Sequence, residues 1–221
     1  MKKVFSVFAQ NLAYYNEGEL VGGWLDLPQP PEKIDKYLKE VVKIDSEHEE
    51  YEIGDVDNTS PFSYESMQWA NLKDLNNLAI IYSSLDEMQK EAVEAHLEYE
   101  GGDYGINELI NICLQADEIG YYRYYFEGIE YNQDCSPEIK MGYTMAEENG
   151  IYELLEKQGI LDYFDFEQYG ESFGYNDCLL ENGYLIPDYN LDLNFYSKDE
   201  IKEEVNKIIE YLYKEVEEIE I

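Results

Sequence analysis

Three windows of this chain, residues 44–72, 91–122 and 158–197, carry eight acidic residues each and no lysine or arginine. With 50 acidic residues against 15 basic ones, the formal net charge is −35, and the excess runs through every segment instead of gathering in a tail. Repulsion on that scale opposes compaction, so the chain can fold only by turning carboxylates to water along its whole length. Fold it does: 44% of the residues are hydrophobic and 15% aromatic, too apolar for a disordered acidic segment. The excess argues against direct nucleic-acid binding and for a basic protein surface as partner. The alternative is that each window is simply a solvated face.

Apolar spacing divides the chain into four segments. In residues 1–67, stretches 2–9, 19–27 and 51–56 read as strands, and "PPEKIDKYLKEVVKI" reads as a helix with Ile34, Tyr37, Leu38, Val41 and Val42 on one face. Residues 68–115 change to helical period, with Leu72, Leu75, Leu78, Ala79 and Tyr82, then Leu85, Met88, Ala92, Val93 and Leu97, then Ile106, Leu109, Ile110 and Cys113. Residues 116–187 combine an aromatic stretch, "YYRYYFEG", with helices from Pro137 to Asn149 and on to Gln158, closed by Gly150 and Gly159, and a hairpin signal at Asn182-Gly183. Residues 188–221 form an acidic extension, an extended piece "YNLDLNFY" and then a helix opened by Ser197-x-x-Glu200 and striped by Ile201, Val205, Ile208, Leu212, Val216 and Ile219. The class is α+β, expected as an elongated row of three small units plus the terminal helix.

Catalytic and metal readings find little footing. "HEEYE" at His48 has Glu52 where a zinc-protease motif needs its second histidine, and the other histidine is His96. "DVDNTSPFSYES" from Asp55 lacks the glycine of a calcium loop and ends in Ser66 where that loop needs glutamate. No glycine loop cradles a phosphate, so neither cofactor nor metal is expected, and no enzyme activity. Cys113, Cys135 and Cys178 fit no metal or redox spacing and read as reduced thiols. No run reaches the 18 or so apolar residues of a membrane span, and Val4 to Ala9 is too short for a secretory signal, so a cytoplasmic protein without membrane contact is expected.

Duplex DNA carries one negative charge per about 1.7 Å of axis, so 35 charges at that density need roughly 60 Å. A ball of this length has a radius of gyration near only ~17 Å. Matching DNA therefore calls for an elongated body, and a dimer would double it to roughly 120 Å, or about 35 base pairs.

The stretch "NLAYYNEGELVGGWLDL", residues 11–27, resembles the opening pattern of the ArdA family of antirestriction proteins. "MGYTMAEENGIYELL", residues 141–155, is similar to that family's antirestriction motif, and "YFDFEQYGESF", residues 163–173, to its later aromatic segment. The resemblance covers about residues 3–187. Gly54 and Glu171-Ser172 depart from the usual pattern, and residues 188–221 have no counterpart in it. The extension would either cap an apolar surface or alter a dimer contact.

What the resemblance implies is an inhibitor, a DNA mimic that dimerises and occupies the DNA-binding groove of type I restriction-modification enzymes, on their methyltransferase core, protecting incoming mobile DNA. It places Met141, Tyr143, Thr144, Ala146, Ile151 and Tyr152 at or near the homodimer contact, although Met141 and Ile151 fit a core equally well. The mimicking face is expected to include Glu49, Glu50, Asp55, Asp57, Glu98, Glu100, Asp103, Asp117, Glu118, Asp162, Asp165 and Glu167. Two other functions fit the charge: a mimic directed at a CRISPR effector or nucleoid protein, and a general acidic interaction module. The 23 tyrosines serve either as interface anchors or, keeping their hydroxyls wet, as half-buried core.

Overall fold

The apolar run near the N-terminus becomes the middle strand of a sheet. In this computed structural model, which describes residues 2–57, 61–126, 135–173 and 178–219 with the side chains of 212–219 excepted, β1 (Phe5–Asn11) is followed by α1 (Leu12–Asn16), β2 (Gly22–Leu27), α2 (Pro31–Glu40) and β3 (Tyr51–Asp57). Both β2 and β3 pair antiparallel with β1, giving the order β2-β1-β3 with a register irregularity at Phe8/Ala9. Five helices or helical turns come next: α3 (Tyr64–Met67), α4 (Leu72–Ser84), α5 (Glu87–Glu100), α6 (Ile106–Leu114) and a 3₁₀ turn at Ala116–Glu118. A short strand β4 (Tyr121–Arg123) then leads to α7 (Pro137–Glu148), α8 (Ile151–Gln158), a 3₁₀ turn at Leu161–Tyr163 and α9 (Phe166–Glu171). Finally β5 (Gly183–Leu185) pairs antiparallel with β4, and α10 (Lys198–Ile219) ends the chain.

The mixed α+β class expected from the sequence is what the chain adopts. Two compact units result, one of Met1–Lys90, Gly102–Ala116 and Leu191–Ile221, the other of Glu91–Gly101 and Asp117–Asn190. In the first, Phe5, Val7 and Ala9 of β1 bury against Leu27, Ile53 and Phe62, and α4 contributes Leu72, Leu75, Leu78 and Ala79. Buried amides tie its segments together. Asn76 accepts from the Gln29 amide at 2.7 Å and donates to the Gln29 carbonyl at 2.9 Å, so one side chain satisfies two backbone groups that no strand reaches.

The extension belongs to this first unit. Ser197 and Glu200 form the reciprocal cap expected for α10, with Ser197 N–H donating to Glu200 Oε2 at 2.9 Å and Glu200 N–H to Ser197 Oγ at 3.4 Å. Ile201 and Val205, 3% and 5% exposed, pack where α10 meets α4. Leu212, Val216 and Ile219 of the expected stripe have side chains outside the described residues. "YNLDLNFY" is irregular rather than extended, turning at Asp192–Phe195. The reason lies in α6: Asn111 accepts from Tyr196 N–H at 2.7 Å, and Gln115 donates to the Asp192 carbonyl at 2.9 Å. Side-chain amides thus take the bonds a strand partner would have made.

Other boundaries shift. The helix expected to run beyond Val42 stops at Glu40, so Val42 is buried from a loop while Val41 is largely exposed. Met88, read as part of an apolar face, is exposed in the first turn of α5. Around Asn182-Gly183 a tight return does form, with a single bridge from Leu179 to Tyr184, but β5 takes β4 as its strand partner.

Candidate functional site

All twelve carboxylates picked out from the sequence are exposed. In the first unit Glu49 and Glu50 lead into β3, Asp55 and Asp57 lie on it, and Asp103 stands in the loop before α6. Asp55 and Asp57, two residues apart, share a strand face. Asp57 belongs to a row across the sheet: Ser6 faces Asp57 on one side and Asp26 on the other, and Lys3 reaches Asp26 at 3.3 Å and Asp57 at 3.2 Å. The Ser6 hydroxyl, and then Lys3, hold the Asp26 carboxyl below the ordinary aspartate range.

In the second unit Glu98 and Glu100 end α5, while Asp117 and Glu118 form a 3₁₀ turn. Asp162 lies in the next such turn, Asp165 caps α9 by accepting from Gln168 N–H at 3.0 Å, and Glu167 follows in its first turn. Several basic side chains engage acids outside this set. Arg123 grips Glu91 with two nitrogens at 2.6 and 2.9 Å, Lys73 meets Asp35 at 3.0 Å, and Lys157 meets Glu153 at 2.5 Å. Exposed pairs of this kind add little to stability, but each sets a carboxylate beside a cation.

The stretch resembling the antirestriction motif forms α7 and α8, and the later aromatic segment forms α9 against them. Met141 is buried with Met145 and Tyr184. Ala146 is buried with Leu155 and Phe166, and the half-buried Tyr143, Ile151 and Tyr152 pack around that cluster. Tyr143 stacks on Phe166 with centroids 3.9 Å apart, and burial raises its phenol above the ordinary value. Thr144 is buried too, donating to the Lys140 carbonyl at 2.9 Å and accepting from Tyr125 N–H at 3.1 Å. Of the six residues assigned to the dimer contact, then, Met141, Thr144 and Ala146 face inward, and Tyr143, Ile151 and Tyr152 keep part of their surface. The exposed apolar rim here is Leu154, Ile160 and Tyr163, the last 88% exposed.

What joins these two motifs is a pair of glycines that the sequence analysis passed over. A Cβ on Gly142 would stand 1.8 Å from the Phe166 carbonyl oxygen, and one on Gly170 would stand 2.0 Å from that of Glu138. Bare backbone at both positions lets α7 and α9 cross in contact. Glycine in the middle of an otherwise helical pattern was the available signal.

The opening motif is a local fold device. Asn11, fully buried, accepts from Ala13 N–H at 3.0 Å and Tyr14 N–H at 3.4 Å, capping α1, and its amide donates to the carbonyls of Lys43 and His48. Tyr14 stacks on His48 at 4.5 Å, which gives that histidine a structural place; it also contacts Asp45 at 3.0 Å. At Gly22, β2 runs so close to β1 that a Cβ there would lie 2.3 Å from the Ala9 carbonyl oxygen. Trp24 packs edge-on to Phe8 at 5.6 Å.

A family model for the antirestriction protein ArdA matches residues 7–186. The chain belongs to the ArdA family. ArdA membership implies an antirestriction function, exercised by an inhibitor through interaction with restriction enzymes. Residues 187–221 lie beyond the ArdA match. No match was found among curated proteins. Among the described residues no helix is long and apolar enough to cross a membrane, and no group of three or more His, Cys, Asp or Glu is placed to hold a metal ion. Cys113 and Cys178 are buried free thiols, and burial pushes the Cys113 thiol far above its ordinary pKa.

Proposed function

We propose that this ArdA protein inhibits restriction by DNA mimicry, presenting carboxylates in place of phosphates to the DNA-binding groove of a type I restriction-modification enzyme, on its methyltransferase core. One observation carries the reading: the twelve carboxylates, drawn from base-free stretches of sequence, are all exposed, in both units, while Lys73, Arg123 and Lys157 sit on other acids. A groove lined with Lys and Arg binds DNA largely by releasing condensed counterions, and a folded polyanion can take the same cations. Inhibition then needs no chemistry. The active species is a homodimer, and Leu154, Ile160 and Tyr163, with the exposed parts of Tyr143, Ile151 and Tyr152, are its contact.

The test has two arms, competition between this protein and duplex DNA for a purified type I methyltransferase core at fixed salt, and direct binding of this protein to that core over a range of salt. Displacement of DNA is expected at fixed salt, and the direct affinity should fall by roughly tenfold or more from 50 to 200 mM salt because screening acts on every exposed pair. Absence of displacement, or direct binding indifferent to salt, would defeat the reading.

A further inference from the structure

Trp69 is 88% exposed, an unusual position for the most costly side chain to leave in water. It stands on the wall of a cavity of about 550 Å³ that lies wholly within the first unit. Glu65 of α3, Trp69, Asp103, Tyr104, Glu108 and Asn194 of the extension are among the residues that line it. Asn194 lies outside the stretch matched to ArdA. No basic side chain occurs among the described residues that line the cavity. The N-terminus of α6 opens here, yet Glu108 already accepts from Gly105 N–H at 2.7 Å, so what meets a visitor is carboxylate and not an anion-binding helix end.

A concave site with two aromatic rings and three carboxylates matches one side chain above others. Guanidinium is planar, weakly hydrated, stacks on indole, and pairs with carboxylates through two parallel N–H bonds; ammonium does the first three poorly and lacks the fork. We propose that this cavity is a docking pocket for an arginine side chain of a basic partner protein, with Trp69 as the stacking platform and Glu65 and Asp103 as the acceptors. The proposal rests on the mimicry reading for the identity of the partner, the cationic groove of the restriction enzyme, but not for the chemistry of the pocket.

Replacing the other tryptophan, Trp24→Phe, leaves Trp69 as the sole indole reporter. Titrating that protein with a hexa-arginine peptide should change Trp69 emission saturably, and a hexa-lysine peptide should bind about three- to tenfold more weakly. Adding Glu65→Gln and Asp103→Asn should weaken the arginine peptide about tenfold or more. An unresponsive indole, equal affinity for the two peptides, or unchanged affinity after the two neutralisations would each overturn the pocket. In the DNA-competition assay, Trp69→Ala should inhibit about three- to tenfold less well than the parent, with the salt slope of direct binding retained because no charge is removed. If the parent competes and Trp69→Ala competes equally, the pocket falls and mimicry stands. If the parent does not compete but the peptides discriminate at Trp69, mimicry falls and the pocket stands.

Discussion

At the scale of single residues, the members of the motifs that matter most to the fold are those with the least side chain. Gly142 and Gly170 meet backbone to backbone, and neither position tolerates even a methyl group without parting α7 from α9. Gly142→Ala should therefore destabilise the protein by upwards of about 3 kcal/mol, at the severe end for an overpacked contact. Gly150, which closes α7 at φ 67° with open space around it, is a fair control. Gly150→Ala should cost only about 1–2 kcal/mol, the price of a left-handed residue. Urea unfolding of the two variants reads the difference directly, and equal effects would mean that the crossing is not as close as described. Residue types alone could not tell these glycines apart: a helix stop and a helix crossing use the same amino acid, and only the neighbour 28 positions away, Gly170, reveals the second role.

At the scale of elements, most of the regular structure was legible because its periods are strong. The α4 pattern placed Leu72, Leu75, Leu78, Ala79 and Tyr82 inward, and all five are buried. The Ser197-x-x-Glu200 signal located the start of α10 because its chemistry is local: two side chains and two amides within one turn. "YNLDLNFY" misled because alternating apolar and polar residues describe a strand only if another strand is there to pair with it, and here Asn111 and Gln115 answer its backbone instead. Burial of Ile201 and Val205 makes the extension part of the first unit's core. Ile201→Ala should lower stability by about 2–4 kcal/mol, whereas the exposed Glu203→Ala should stay within about 0.5 kcal/mol. Were the extension a loosely attached tail, Ile201→Ala would leave the urea midpoint unmoved.

At the scale of the whole molecule, charge is collective. Exposed carboxylates each contribute little to binding, so changing Asp55→Asn alone should alter DNA competition by less than about twofold. Neutralising Glu49, Glu50, Asp55 and Asp57 together, by Gln or Asn, should weaken it about tenfold and flatten the salt dependence of direct binding to the core. A single substitution as damaging as the block would point to one specific contact in place of a distributed field. The exposure of the twelve carboxylates was legible because an ionised carboxylate is costly to bury, but composition did not settle it for every acid: Glu52, Glu91 and Glu108, in the same windows, are only partly exposed. The chain's α+β class and its polyanionic surface were written in period and composition. Which apolar residues of the antirestriction motif turn inward, how closely α7 can approach α9, and what pocket Trp69 overlooks depended on segments far apart in sequence meeting in space, and only the tertiary structure could decide them.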